Sequence, residues 1–298
     1  ERSRIRDHAD MERRMRGGDL AVAIEIPPDF GKDLRRGRMP EVGVWLDGAV
    51  PFRAETSRGY VQGLHLDYLT DLARREQGTE VQALPADIEI RFRYNQDFKS
   101  AFAMVPGVIM LLLMLIPAMM TAVGVVREKE LGSITNLYAT PVTRLEFLLG
   151  KQLPYVVIAM ISFVSLVLLA LFLFKVPVKG SIPALAAGAL LFVITSTGFG
   201  LLVSSFVKTQ IAAIFAAAIL SIMPTINFSG FLSPVSSLTG GGRIAGYDYP
   251  SSYFQQISVG TFTKALGFGD LLINYIVLAA FIVVFLLLSL TLLKGQER

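Results

Sequence analysis

From Ala101 onward the chain alternates long uncharged stretches with short charged ones. Residues 101–126, 152–174, 180–207, 209–242 and 271–293 contain no Asp, Glu, Lys or Arg. A bilayer core of about 30 Å is crossed by about 20 apolar residues in a helix. The pattern therefore predicts five membrane spans, at 101–126, 152–174, 182–207, 209–231 and 271–293. The fourth uncharged stretch is longer than one span requires, and Phe228–Pro234 has the composition of a turn back into the membrane. Residues 251–268 read as a short amphipathic helix lying outside, its aromatic residues at the interface. Lys99, Arg127, Lys151, Lys175, Lys208 and Lys294 stand at span ends, where long basic side chains reach the headgroups. Pro106, Pro117, Pro154 and Pro224 fall inside or near the ends of spans, where neighbouring groups must satisfy the carbonyls they free. Ala184, Gly188, Gly198 and Gly200 permit close helix approach.

The first 98 residues follow other periods. Residues 20–26 alternate as a strand, Pro27-Pro28-Asp29 open a short helix ending near Gly37, and 42–46 form a second strand closed by Asp47-Gly48. Residues 55–76 carry Tyr60, Val61, Leu64, Tyr68, Leu69 and Leu72 at helical spacing, and 87–93 alternate as a third strand. The expected fold is a polytopic α-helical membrane protein with a small α/β domain at residues 1–98 and a transmembrane domain at 99–298.

Composition sharpens this division. Hydrophobic residues make up 53% of the chain and charged ones 17%, against about 25% charged in a soluble domain. Residues 1–99 hold 17 of the 28 basic and 18 of the 24 acidic residues. The net positive charge therefore resides in the loops of the apolar part and is no nucleic-acid footprint, which needs basic residues clustered on one folded face. The Arg-rich opening is interleaved with Asp7, Asp10 and Glu12 and reads as a solvated helix face. There are no cysteines, which excludes disulfides, thiolate metal sites and a thiol nucleophile.

Charge also sets an expected orientation. Arg127, Lys129, Arg144, Lys151, Lys208, Lys294 and Arg298 lie on one side; Lys175, Lys179, Arg243 and Lys264 lie on the other. The richer side is expected to be cytoplasmic, which places residues 1–98 outside. Such a domain needs a span upstream. The chain opens on Glu1 and reads as a fragment, with six spans expected in the intact protein.

The search for chemistry finds little. The sequence has no Gly-x-x-x-x-Gly-Lys-Ser/Thr phosphate loop, no His-Glu-x-x-His and no Gly-x-Ser-x-Gly. His8 and His65 are far apart in sequence. We therefore expect no ATPase site, no other enzyme site and no metal site in this chain. The spans carry no ionisable group of the kind that ion-coupled transporters place in the membrane, which disfavours a secondary transporter. A membrane-anchored sensor or scaffold, the other alternative, is disfavoured by five spans with only a short loop between the first two. Met104, Met110, Met114, Met119 and Met120 in the first span suit either an adaptable apolar path or packing.

The richest segment is 127–151. Arg127, Glu128, Lys129 and Glu130 leave the first span, and Ile134, Leu137 and Tyr138 recur at helical spacing until Thr140-Pro141 interrupts. On this reading Glu128 and Glu130 stand near a helix start, where the dipole favours carboxylates, and Gly132 lies inside the helix. The segment is either a plain connector or an element that passes motion from a cytoplasmic partner to the spans.

This segment resembles the signature of type-2 ABC transporter permeases, the exporter class of membrane subunits. The resemblance rests on Tyr94-Asn95, Val105-Pro106-Gly107, Arg127-Glu128-Lys129-Glu130 with Gly132-Ser133, Ala139-Thr140-Pro141-Val142, Glu146-Phe147 and Gly150-Lys151. It extends to permease regions fused behind tandem ATPase domains, including the ribosome-associated ATPase type. Thr135 departs from the pattern, standing where many relatives carry glutamate. The resemblance implies an ATP-driven exporter in the inner (plasma) membrane, with an external domain between its first two spans. It implies a second permease subunit, as a homo- or heterodimer, and two ATP-binding domains, fused or separate, that hold the ATP and Mg. Members with a large external domain often work with a periplasmic adaptor protein. The coupling loop would comprise Arg127, Glu128, Lys129, Glu130, Gly132, Ser133, Leu137, Thr140 and Pro141. Substrate-binding residues are not readable.

Overall fold

The computed structural model describes residues 5–36, 41–49, 54, 56–65, 67–68, 87–93, 100–132, 143–232, 235, 238 and 240–294. Two compact units are present, Glu1–Ser100 and Ala101–Arg298.

The first unit contains α1 (His8–Arg16), β1 (Val22–Glu25), α2 (Phe30–Arg35), β2 (Glu41–Asp47), helical residues 56–65 (α3) and β3 (Asp87–Arg93). The strands form a sheet in the order β1-β2-β3. β1 runs antiparallel to β2, with Ala23 opposite Trp45, and β3 runs parallel to β2, with Ile90 opposite Val44. Asp7 caps α1 by accepting from the Asp10 N–H at 2.7 Å, a favourable N-cap. Arg13 and Arg16 pair with Asp10 and Glu12 one turn back, at 2.6 and 3.0 Å, while Arg2 and Arg4 of the Arg-rich opening lie outside the described residues. The Arg13 guanidinium holds the Asp10 carboxyl below its ordinary range. The opposite side of α1 buries Met11 and Met15 against Ala23, with Leu20 and Trp45 alongside. The part of the expected helix beyond residue 68 lies outside the described residues.

Among the described residues, the second unit has five helices long and apolar enough to cross a membrane: α4 (Ser100–Glu130), α5 (Arg144–Phe172), α6 (Ile182–Phe206), α7 (Gln210–Phe228) and α10 (Leu272–Lys294). Two short helices, α8 (Gly241–Tyr247) and α9 (Ser251–Thr263), intervene before the last. α6 is central: it packs against α5, α7, α9 and α10. Gly200 on α6 lies so close to the Ala118 carbonyl of α4 that a Cβ would collide with it. A Cβ at Gly188 would meet Ile257 of α9 at 2.8 Å. The Tyr275 hydroxyl donates to the Ala184 carbonyl at 2.9 Å. The small residues of α6 therefore set how closely its neighbours approach.

Both prolines of α4 lie inside the helix, and hydroxyls from other helices bond to carbonyls beside them. Ser258 donates to the Pro106 carbonyl at 3.0 Å and Ser196 to the Met114 carbonyl at 2.7 Å. Met110 and Met114 are wholly buried in the packed core, whereas Met104 is 52% exposed, so these methionines do not line one continuous path.

α9 differs from its sequence-based reading. It is not amphipathic: eleven of its 13 residues are buried. Phe254 stacks on Phe192 with ring centroids 4.5 Å apart, and Ile257 and Phe262 join the same core. Its polar residues bury themselves by bonding to carbonyls: Thr261 to Ile257 at 2.8 Å and Thr263 to Val259 at 2.6 Å. The backbone N–H groups of Gly180 and Lys179, in the α5–α6 connection, bond to the Thr261 and Phe262 carbonyls at the end of α9, at 2.8 and 3.4 Å. They satisfy carbonyls that a helix terminus leaves unpaired.

Candidate functional site

α4 does not stop with its apolar run at Val126. It continues through Arg127-Glu128-Lys129-Glu130, which form its last turn. The Leu131 and Gly132 N–H groups bond back to the Arg127 and Lys129 carbonyls at 3.0 and 3.2 Å. Gly132 has φ +71, the left-handed conformation that ends helices and that glycine adopts without a Cβ penalty. Two sequence expectations are thereby corrected. Glu128 and Glu130 stand at the C-terminal end of a helix, where its dipole disfavours carboxylates, and Gly132 lies beyond that helix, not inside one.

The charged last turn is held by three other helices. Glu128 pairs with Lys151 of α5. Lys151 also lies over the Phe147 ring, 5.8 Å from its centroid. The Lys129 ammonium donates to the Ser204 carbonyl in the last turn of α6, at 2.8 Å. Glu130 accepts from the Gln210 backbone N–H at 2.8 Å, at the first residue of α7, and from the Gln210 side-chain amide. Each of the last two contacts joins opposite polarities. A cation meets the carbonyl end of α6, and a carboxylate meets the N–H end of α7. The local dipole cost of the carboxylates in α4 is offset across the bundle.

α5 begins beside this turn with a reciprocal cap. The Thr143 N–H donates to Glu146 at 2.8 Å, and the Glu146 N–H donates to the Thr143 hydroxyl at 3.3 Å. Next to Lys151, the buried Gln152 amide donates to the Ile194 carbonyl and the Thr197 hydroxyl of α6, at 2.8 and 2.9 Å. Val125, Leu148 and Leu201 form a buried apolar floor beneath the charges. On α4, Gly124 gives room to the Tyr155 side chain of α5, which a Cβ would strike.

Of the residues expected to form the coupling loop, Glu128, Lys129 and Glu130 come together at this end of the bundle, with Gly132 just beyond. Arg127 is exposed. Ser133, Leu137, Thr140 and Pro141 lie outside the described residues. Sequence reasoning missed Ser204, Gln210, Gln152 and Tyr155. Gln152 and Gln210 carried a faint signal, each being a polar amide at the mouth of an apolar run. Ser204 acts through its backbone carbonyl, which leaves no mark in a sequence. Among the described residues, no group of three or more metal-ligating side chains is placed to hold an ion.

Comparison with known proteins adds independent information. A family model described as ABC-2 family transporter protein matches residues 1–291. The chain is 29% identical over 286 residues to the probable multidrug ABC transporter permease YbhS of Escherichia coli (strain K12), covering 96% of this chain and 75% of that protein. It is 25% identical over 263 residues to the inner membrane transport permease YhhJ of the same organism, covering 87% and 69% respectively. It is also 25% identical over 217 residues to the probable multidrug permease YbhR, covering 73% and 58%. No solved structure matches the chain.

Proposed function

The chain belongs to the ABC-2 family of transporter proteins, and from that premise we propose that its charged helix end converts ATP hydrolysis elsewhere into movement of the spans. The observation that carries this is the convergence of α5, α6 and α7 on the last turn of α4. A push on that turn is delivered to three spanning helices at once, because Glu128, Lys129 and Glu130 each hold a different one. The segment that follows directly, residues 133–142, is where a partner would press.

In this reading the chain is a multi-pass permease of the inner membrane, and ATP and Mg reside on ATP-binding domains, fused or separate. Such a permease works with a second copy or a related subunit. The excess of basic residues at the α4–α5 and α6–α7 connections supports a cytoplasmic position for that side and an external one for residues 1–98, where a periplasmic adaptor would meet them. The names of its relatives YbhS and YbhR, each a probable multidrug permease, support drug-like molecules as the exported class.

Cysteine labelling from outside intact cells tests the orientation, with no native cysteine to interfere. Ser57→Cys should label and Ser133→Cys should not; the reverse pattern inverts the arrangement. Co-purification with an ATP-binding subunit tests the partnership. The permease alone should show no ATP turnover above a catalytically dead control.

A further inference from the structure

α9 carries a polar stripe, Ser251, Gln255 and Ser258, at the i, i+4, i+7 spacing of one helix face. Its two ends are satisfied. Ser251 shares a hydrogen bond with Thr225 of α7 at 3.0 Å, and Ser258 donates to the Pro106 carbonyl of α4 at 3.0 Å. The middle is not. Gln255 is only 6% exposed, and its Oε1 has no hydrogen-bond partner among the described residues. A buried carbonyl oxygen without a donor is uncommon and calls for an explanation.

The surroundings supply one. The Gln255 amide lies against Gly107 of α4, its Nε2 3.3 Å from where a Cβ would stand. The Phe231 ring fills the same notch so closely that a Cβ would collide with it. Ring and amide thus share the space that a missing side chain leaves. Phe231 follows Gly230, which has φ +91, a conformation open to glycine and strained for other residues. The ring is therefore mounted on a glycine pivot just past the end of α7, against a polar group that lacks a partner.

We propose that Gln255 is a ligand-recognition residue of the permease, and that Phe231 is its lid, swinging on Gly230 to let the Gln255 carbonyl accept an N–H donor of an amphipathic organic amine. This rests on the reading of the chain as an export permease and names the chemistry its substrate would carry. An amide acceptor selects a donor, and the aromatic lid and apolar walls suit a flat or aliphatic body. The uncharged stretches that cross the membrane contain no carboxylate, so recognition there would run through hydrogen bonding and not through ion pairing.

The test uses the full-length permease, co-purified with its ATP-binding subunit and reconstituted in lipid nanodiscs. The probes are two dyes of like shape and charge: rhodamine 123, which bears N–H donors, and tetramethylrhodamine methyl ester, whose amines are fully methylated. The wild type should bind rhodamine 123 about tenfold more tightly, the worth of one ordinary hydrogen bond. Gln255→Met, of similar length but without the acceptor, should erase that preference, and Gln255→Glu should retain it. Phe231→Ala should speed dye association and leave the preference intact. No preference in the wild type, no binding of either dye, or a preference that survives Gln255→Met overturns the proposal. If Gln255→Met fails to assemble, the wild-type comparison alone still decides. Failure of the wild type to co-purify with an ATP-binding subunit would instead count against the permease reading.

Discussion

The Glu130 carboxylate, in the last turn of one spanning helix, accepts a hydrogen bond from the Gln210 backbone N–H at 2.8 Å, at the first residue of another. The two residues are eighty positions apart, yet one closes the end of the other's helix. Thr209 already caps α7 through the Ala212 N–H at 3.3 Å, so the fold of α7 does not depend on Glu130. Glu130→Gln keeps the shape and removes the charge facing the α7 N-terminus. We expect a folded permease at normal membrane levels whose hydrolysis is less stimulated by transported substrate, measured in proteoliposomes beside wild type.

The Glu128–Lys151 pair is partly exposed, with side-chain exposures of 25% and 35%. Pairs of this kind contribute only about 0–1 kcal/mol to stability. Glu128→Lys and Lys151→Glu should each weaken coupling while lowering thermal stability little. The double exchange should recover part of the loss. A double-mutant cycle on transport-stimulated ATP hydrolysis reads the interaction, and strictly additive losses would mean that the pair is not coupled.

Gly132→Ala should destabilise the permease by about 1 kcal/mol, because alanine in the left-handed region is strained. Asparagine tolerates that conformation better than alanine, so Gly132→Asn should cost less. Thermal unfolding of the three proteins in detergent gives the order. A gain in stability on Gly132→Ala would instead place Gly132 within a regular helix, where alanine is the better helix former.

Two glycines of α6, two residues apart, should respond oppositely to the same change. A Cβ at Gly198 finds its nearest neighbour at 3.6 Å, an ordinary contact, whereas at Gly200 it runs into the Ala118 carbonyl of α4. Gly198→Ala should be neutral or stabilising, since alanine is the better helix former. Gly200→Ala should cost about 1–3 kcal/mol as an overpacked contact against rigid backbone, read as a lowered melting temperature and reduced membrane levels.

The spanning helices were legible in the sequence because the bilayer imposes one crude demand, about 20 apolar residues, and the chain meets it five times without a charge. Two of the three strands of the first unit were legible from period-two alternation, and the second from a short apolar run closed by Asp47-Gly48. What escaped has physical reasons. The Ser and Thr residues of α9 suggest a wetted face, but Thr261 and Thr263 bond to their own helix and Ser258 bonds to the Pro106 carbonyl. Polar residues therefore hid a core helix. The charges at 127–130 announced a charged turn at a span end but not its orientation, because the same residues suit a helix start or a helix end; only the backbone of Gly132 distinguishes them. The partners of Lys129 and Glu130 are a carbonyl and an N–H, groups every residue possesses.

The coupling role of the α4 helix end is tested most directly by replacing its contact with α7 by a covalent one. In a Glu130→Cys/Gln210→Cys permease, assembled with its ATP-binding subunit in proteoliposomes, substrate-stimulated ATP hydrolysis is measured before and after a short thiol-specific cross-linker, and again after its cleavage. If the turn transmits force as a rigid clamp, the unlinked variant should be uncoupled, cross-linking should restore stimulation toward the wild-type level, and cleavage should abolish it again. Full coupling without the link, or no recovery with it, would contradict the account.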